Sequence, residues 1–139
     1  MKARMILGVM ATVAVFTACK KENSNPSPAD TFDTVSKGEW QVQYFFDDND
    51  ETYKFEGYVL TFNSNGTVTA VKGTDVVNGT WNTGIDDSQT KLDLNFNNSN
   101  LFDELNDDWH VQELSATKIV TEDVSGGNGE TDYLTLQKI

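Results

Sequence analysis

From Gly38 onward, apolar residues recur at every second position in short runs, and the runs are separated by residues that favour turns. Trp40, Val42, Tyr44 and Phe46 share one face of a strand over 39–46, and Tyr58, Leu60 and Phe62 share one face over 57–63. Asn65-Gly66 then marks a hairpin, because both residues tolerate the left-handed backbone that matches strand twist. Thr67 to Lys72 is the return strand, Gly73-Thr74-Asp75 turns, and Val76 to Asn82 continues with a bulge expected at Asn78-Gly79. Gly84 to Gln89 reads as a loop, followed by clean alternation through Leu92, Leu94 and Phe96. Residues 101–105 break the rhythm and predict one or two helical turns capped by Asn100, with Leu101, Phe102 and Leu105 facing the core. Strands over 109–114, 118–123 and 132–138 complete the chain. The reading is all-β: about eight antiparallel strands in up-and-down order, closed into a β-barrel, with one short helix before strand six. Short sequential connections favour the meander, and closure removes exposed edges. A β-sandwich is the alternative, and no internal repeat is visible.

The N-terminus follows a different pattern. Lys2 and Arg4 precede an uncharged apolar run from Met5 to Ala18. As a helix that run spans about 21 Å, short of the ~30 Å hydrocarbon core, so it fits a cleavable signal better than a transmembrane span. It ends in Phe16-Thr17-Ala18-Cys19, which resembles the bacterial lipobox, with Phe16 where Leu is commoner. The resemblance implies cleavage after Ala18 and a lipid on Cys19, the only cysteine in the chain. Three segments follow: a lipoprotein signal peptide (1–18), a lipidated Cys and polar tether holding both prolines (19–34), and a single domain (35–139).

Charge narrows the partners. Without the signal, eight lysines face 22 acidic residues, a net charge of −14, and no arginine remains. Such a surface repels phosphate backbones, so nucleic acid is not an expected partner. Catalytic and metal chemistry find little support. His110 is the only histidine and sits beside Trp109, a surface or lining residue rather than a catalyst. A zinc site needs more nitrogen or sulfur ligands than the chain carries. Asp47-Asp48-Asn49-Asp50-Glu51 has the richness of a calcium loop, but Thr52 and Tyr58 stand where the EF-hand requires Gly and Glu. The expectation is a protein without cofactor, and not an enzyme.

Several segments resemble small lipocalin-like lipoproteins of Bacteroidetes: Gly38-Glu39-Trp40, Phe55-Glu56-Gly57-Tyr58, the run from Thr61 to Ala70, Asn78-Gly79-Thr80-Trp81, Leu105 to Trp109, and Ser125 to Leu134. Gly38-x-Trp40 also matches the Gly-x-Trp of true lipocalins, whose Trp closes the barrel base. The resemblance spans about residues 35–139 and implies fold and location more than activity. It leads to a lipid-anchored outer-membrane protein, on the periplasmic side or the cell surface. Trp40, Tyr44, Phe46, Tyr58, Phe62, Trp81, Phe96, Trp109 and Tyr133 are the candidate interior residues, lining a pocket for a small apolar or amphipathic ligand. The alternative is a non-enzymatic interaction protein that binds another envelope protein through its loops. Short strands weigh toward the alternative, because an eight-stranded barrel is narrow enough for its own side chains to fill.

Replacing Cys19 by Ala removes the acyl acceptor. Metabolic labelling with a radioactive fatty acid then marks the natural chain and not Cys19→Ala; label retained on the variant contradicts the anchor.

Overall fold

A computed structural model describes residues 25–97, 99–125 and 129–139. The expected signal peptide, Cys19, Lys20-Lys21 and residues 126–128 lie outside the described residues. Among the described residues nine strands form one antiparallel sheet: β1 (Trp40–Asp47), β2 (Asn49–Asp50), β3 (Val59–Phe62), β4 (Thr67–Lys72), β5 (Asp75–Asp86), β6 (Gln89–Phe96), β7 (Asp107–Leu114), β8 (Lys118–Val124) and β9 (Thr131–Lys138). From β3 to β9 each strand pairs with its successor, and β9 returns to β1 from Trp40↔Lys138 to Phe46↔Tyr133. Two-residue β2 only clips the end of β1, so the barrel proper has eight strands and closes as expected.

Local chemistry explains the sharp hairpins. At the β3–β4 turn Asn65 Oδ1 accepts from the Thr67 amide at 3.0 Å, an Asx turn that sets the reversal. The expected loop at 84–89 is instead mostly strand: β5 runs to Asp86, and Asp87 and Ser88 alone make the turn, with φ of 46° and 64°. No slip occurs at Asn78-Gly79, where a bulge was expected; the register passes through it unbroken. Gly79 serves a different need. A Cβ there would sit 2.5 Å from the Asn95 carbonyl oxygen, so only glycine lets β5 and β6 approach this closely.

The barrel has a base and a mouth, each stoppered by a short helical element. At the base lies α1 (Pro28–Val35), in a stretch whose prolines and polarity suggested tether. Ser27 caps it: its hydroxyl accepts from the Asp30 amide at 3.1 Å, and Pro28 opens the first turn. Thr31 and Val35 are buried beneath the helix, and Phe32 stacks on Trp81 with centroids 4.7 Å apart. At the mouth, the short helix expected before strand six is a single 3-10 turn, Phe102–Leu105. A similar turn, Thr52–Phe55, precedes β3, the second barrel strand, so the one α-helix among the described residues lies elsewhere than expected. Phe55, Phe102 and Leu105 drop from these turns into the core.

Between the stoppers the interior is aromatic and aliphatic. Phe45, Phe55, Phe102 and Phe96 form a chain of ring contacts with centroids 4.8–5.4 Å apart. The two edge-on pairs, Phe45–Phe55 and Phe55–Phe102, each contribute about 0.5–1.5 kcal/mol beyond burial. The three indole N–H groups are all satisfied by carbonyls at the barrel ends: Trp40 donates to Val35 (3.0 Å), Trp81 to Asn63 (2.9 Å) and Trp109 to Leu105 (2.9 Å). Each tryptophan therefore fills the core with its ring and ties down an end with its nitrogen.

Trp40→Ala deletes one of these knots. Urea melts of the chain from residue 25 should show a loss of about 3–5 kcal/mol, from lost burial plus the cavity left behind. A chain begun at Gly38, lacking α1, should also melt earlier than one begun at residue 25, because Trp81 and Trp40 lose their cover; equal melting would mean α1 is not part of the fold.

Candidate functional site

Six of the nine candidate aromatics point inward: Trp40, Tyr58, Phe62, Trp81, Phe96 and Trp109 are all buried. Tyr44, Phe46 and Tyr133, expected in the interior, do not enter it. The register of β1 on β9 slips between Val42 and Tyr44, where Gln43 is one residue too many. Past that slip the inward phase shifts by one, so Phe45 enters the core while Tyr44 stays 37% exposed and Phe46 half-buried. On β9, Leu134 and Leu136 take the inward positions and leave Tyr133 39% exposed. Tyr44, Phe46 and Tyr133 then make a loose outer cluster, with ring centroids 6.4 Å and 6.2 Å apart. The core phenylalanines that simple alternation missed are Phe45 and Phe55; the slip hides the first and a one-turn helix the second.

With the interior occupied by its own side chains, the clefts lie on the surface. The larger, about 660 Å³, opens where β1 and β3 part. These strands pair only at Trp40↔Leu60. Beyond it the chain between them turns away, and Thr52 and Glu51 bond to Phe45 instead: the Phe45 amide donates to Thr52 Oγ1 (2.9 Å), and the Glu51 amide donates to the Phe45 carbonyl (3.0 Å). Buried Val42 and Phe55 and exposed Gln41, Gln43 and Tyr53 border this cleft; Tyr53 is 71% exposed. A second cleft of about 540 Å³ is more polar, bordered by Tyr58, Asp75, Asn78, Asn97 and Ser99. There the Tyr58 hydroxyl donates a short hydrogen bond to Asp75; that bond, burial and the Asp75 charge raise the phenol's pKa.

Acidic side chains gather at the mouth. Asp123 and Asp132 are cross-strand partners on β8 and β9, Asp107 hydrogen-bonds Asp123, and Asp47 and Asp48 bear on Asp132. Burial, then the Asp107 charge and hydrogen bond, push the Asp123 pKa up; burial, then Asp47 and Asp123, do the same for Asp132. On the wall, Lys91 lies 3.0 Å from Asp93 and 2.9 Å from Asp108. This pair splits: burial and its hydrogen bond to Asp108 raise Asp93, whereas hydrogen bonds from Asp93 and Lys91 lower Asp108. Lys54 joins the two mouth turns through Glu51 (2.6 Å) and Glu104 (3.0 Å), which raise its pKa. His110 is half-buried, its Nε2 3.4 Å from Asp86. Among the described residues no three His, Cys, Asp or Glu side chains are arranged to hold a metal ion.

These features define a class: a closed, eight-stranded up-and-down β-barrel with a side-chain-filled interior and stoppered ends. No protein-family model matches the chain, and no curated protein is significantly similar to it. Among solved structures, it is similar to the crystal structure of a DUF4847 family protein from Bacteroides vulgatus, at 18% identity, over 77% of this chain and 96% of that one, with a TM-score of 0.53. That likeness is one of fold, with a member of a family of unknown function.

The raised carboxylates have a defined sign. A carboxyl whose folded pKa exceeds its unfolded value binds more protons when folded, so its contribution to stability grows as pH falls through the raised value and is lost above it. Asp132→Asn should therefore raise the melting temperature at pH 7.5 by roughly 2–4 °C, about 0.5 kcal/mol after solvent screening. The gain should shrink at a lower pH, as the natural side chain takes up its proton. Melting curves at the two pH values check this; an equal gain at both would show that charge is not the cause.

Proposed function

We propose that this chain is a lipid-anchored, non-enzymatic envelope protein of the outer membrane, whose filled barrel is a scaffold that presents its mouth to another envelope protein. One observation carries the reading: the aromatics that would line an internal pocket are packed against one another, and helical turns fill both ends. A carrier of apolar ligands needs an accessible interior, whereas a scaffold gains from a rigid one. The acidic mouth adds selectivity, since it repels anionic molecules and favours a partner with basic residues. Anchoring by a lipid on Cys19 follows from the lipobox resemblance and sets the location.

The cleft between β1 and β3 supports a second reading, in which an amphipathic small molecule lies across Val42 and Phe55 beneath Tyr53. Photoreactive residues placed at Tyr53, Thr74 and Asp103 in the native host separate the two. Cross-linking of one defined protein from Thr74 and Asp103, with native mass spectrometry of the purified chain giving only protein plus acyl groups, is the result expected. A non-covalent small molecule retained in the native spectrum and lost in Phe55→Ala would replace the scaffold reading with the ligand one.

A further inference from the structure

The docking of α1 shortens the leash between lipid and barrel. The Pro26 carbonyl accepts a short hydrogen bond from the Thr90 hydroxyl, and the Pro28 carbonyl accepts from Thr83 Oγ1 at 3.0 Å. Thr90 is itself buried, so this junction belongs to the barrel and not to a free tail. The chain is thus fixed to β5 and β6 from Pro26 onward, at the base. Seven peptide steps separate Cys19 from Pro26. Even fully extended they reach only about 25 Å. A tether running to residue 34 would allow roughly twice that.

We infer that the barrel sits base-down on the bilayer that holds its lipid, with the membrane surface as the partner of the base. This rests on the lipidation of Cys19 argued above. The reach leaves little alternative: the barrel is roughly 20 Å tall, from strands of eight residues tilted as in closed barrels. Turning it mouth-down would require the leash to run that height along the wall to reach the bilayer, using nearly all of its length. Charge is divided across the base and does not drive the orientation. The corner where β1 begins and β8 and β9 meet the base carries Lys37, Lys118 and Lys138, with Glu39 the acid beside them. The opposite side of the base, at α1 and the β5–β6 turn, carries Asp30, Asp33, Asp86 and Asp87. The lysine corner is therefore the edge that tolerates anionic headgroups. The mouth, with Asp47, Asp107, Asp123 and Asp132, faces away and is left free for a partner.

The test uses the full lipidated chain in vesicles of phosphatidylethanolamine and phosphatidylglycerol that carry a headgroup-linked fluorescence acceptor. Donor dyes are placed singly through Ala116→Cys at the base and Thr74→Cys at the mouth. The base dye should transfer several-fold more energy to the acceptor than the mouth dye. Inserting a long Gly-Ser stretch between Lys21 and Glu22 should then reduce transfer from the base dye. Equal or reversed transfer from the two dyes on protein that carries acyl mass on Cys19 would overturn the orientation while leaving the anchor intact. Base transfer unmoved by the insertion would overturn the leash as its cause. Absence of acyl mass on Cys19 would overturn the anchor, and the orientation with it.

Discussion

Trp40 is where the barrel closes, and most of the architecture depends on it. It pairs with Leu60 on one side and Lys138 on the other, the position at which first and last strands meet and β3 joins them. Its ring is fully buried, its N–H is held by the Val35 carbonyl of α1, and the Lys138 ammonium lies 4.8 Å from its ring centre. Without that hydrogen bond an indole N–H would be buried unsatisfied, a cost of about 1–3 kcal/mol. The glycine two residues earlier makes the turn from helix to strand possible: Gly38 has a φ of 78°, which side chains disfavour. The Gly-x-Trp pattern is thus a single device, a left-handed hinge followed by a large ring that ties helix, first strand and last strand together.

A second constraint sits a few residues along the same strand. The extra residue at Gln43 turns β1 by one position, sending Phe45 into the core and Tyr44 and Phe46 out. The β1–β3 ladder does not extend past Trp40, and the turn at Thr52–Phe55 fills the gap from outside. Phe55 then meets Phe45 and Phe102 edge-on, so the opened seam is closed by aromatic contacts in place of strand hydrogen bonds. The cleft between β1 and β3 is a by-product of this repair, which explains why it lies outside the barrel wall.

Function follows from where polar groups are left. A core this full has no use for the ionisable residues, and they collect on the wall and the mouth. Lys91 and Lys54 each hold two carboxylates together. At the mouth, Asp123 and Asp132 have raised pKa values, from burial first and then from the neighbouring carboxylates. Together with the proposed lipid leash at the other end, such a mouth would suit a protein that holds a charged surface at a set distance from a membrane.

Much of this was legible in the chain. Strand number, sequential pairing, the Asn65-Gly66 hairpin and the burial of Leu60, Phe62, Leu92, Leu94 and Phe96 follow from two-residue periodicity and turn chemistry, which are local properties. The cap of α1 was also written locally, as Ser27-Pro28-Ala29-Asp30, but in a proline-bearing polar stretch that equally suits a tether; only the packing of Phe32 on Trp81 selects the helix. Three features were decided by the tertiary structure alone. The slip at Gln43 depends on how β1 must bend to meet β9, and one residue of slip reverses the meaning of every alternating position after it. The filled interior depends on barrel radius against side-chain volume, which no pattern of letters measures. The gathering of the mouth aspartates depends on pairing between strands: neighbouring β7, β8 and β9 carry Asp107, Asp123 and Asp132, and closure of β9 on β1 adds Asp47 from far away in sequence, a neighbour that periodicity within one strand does not reveal.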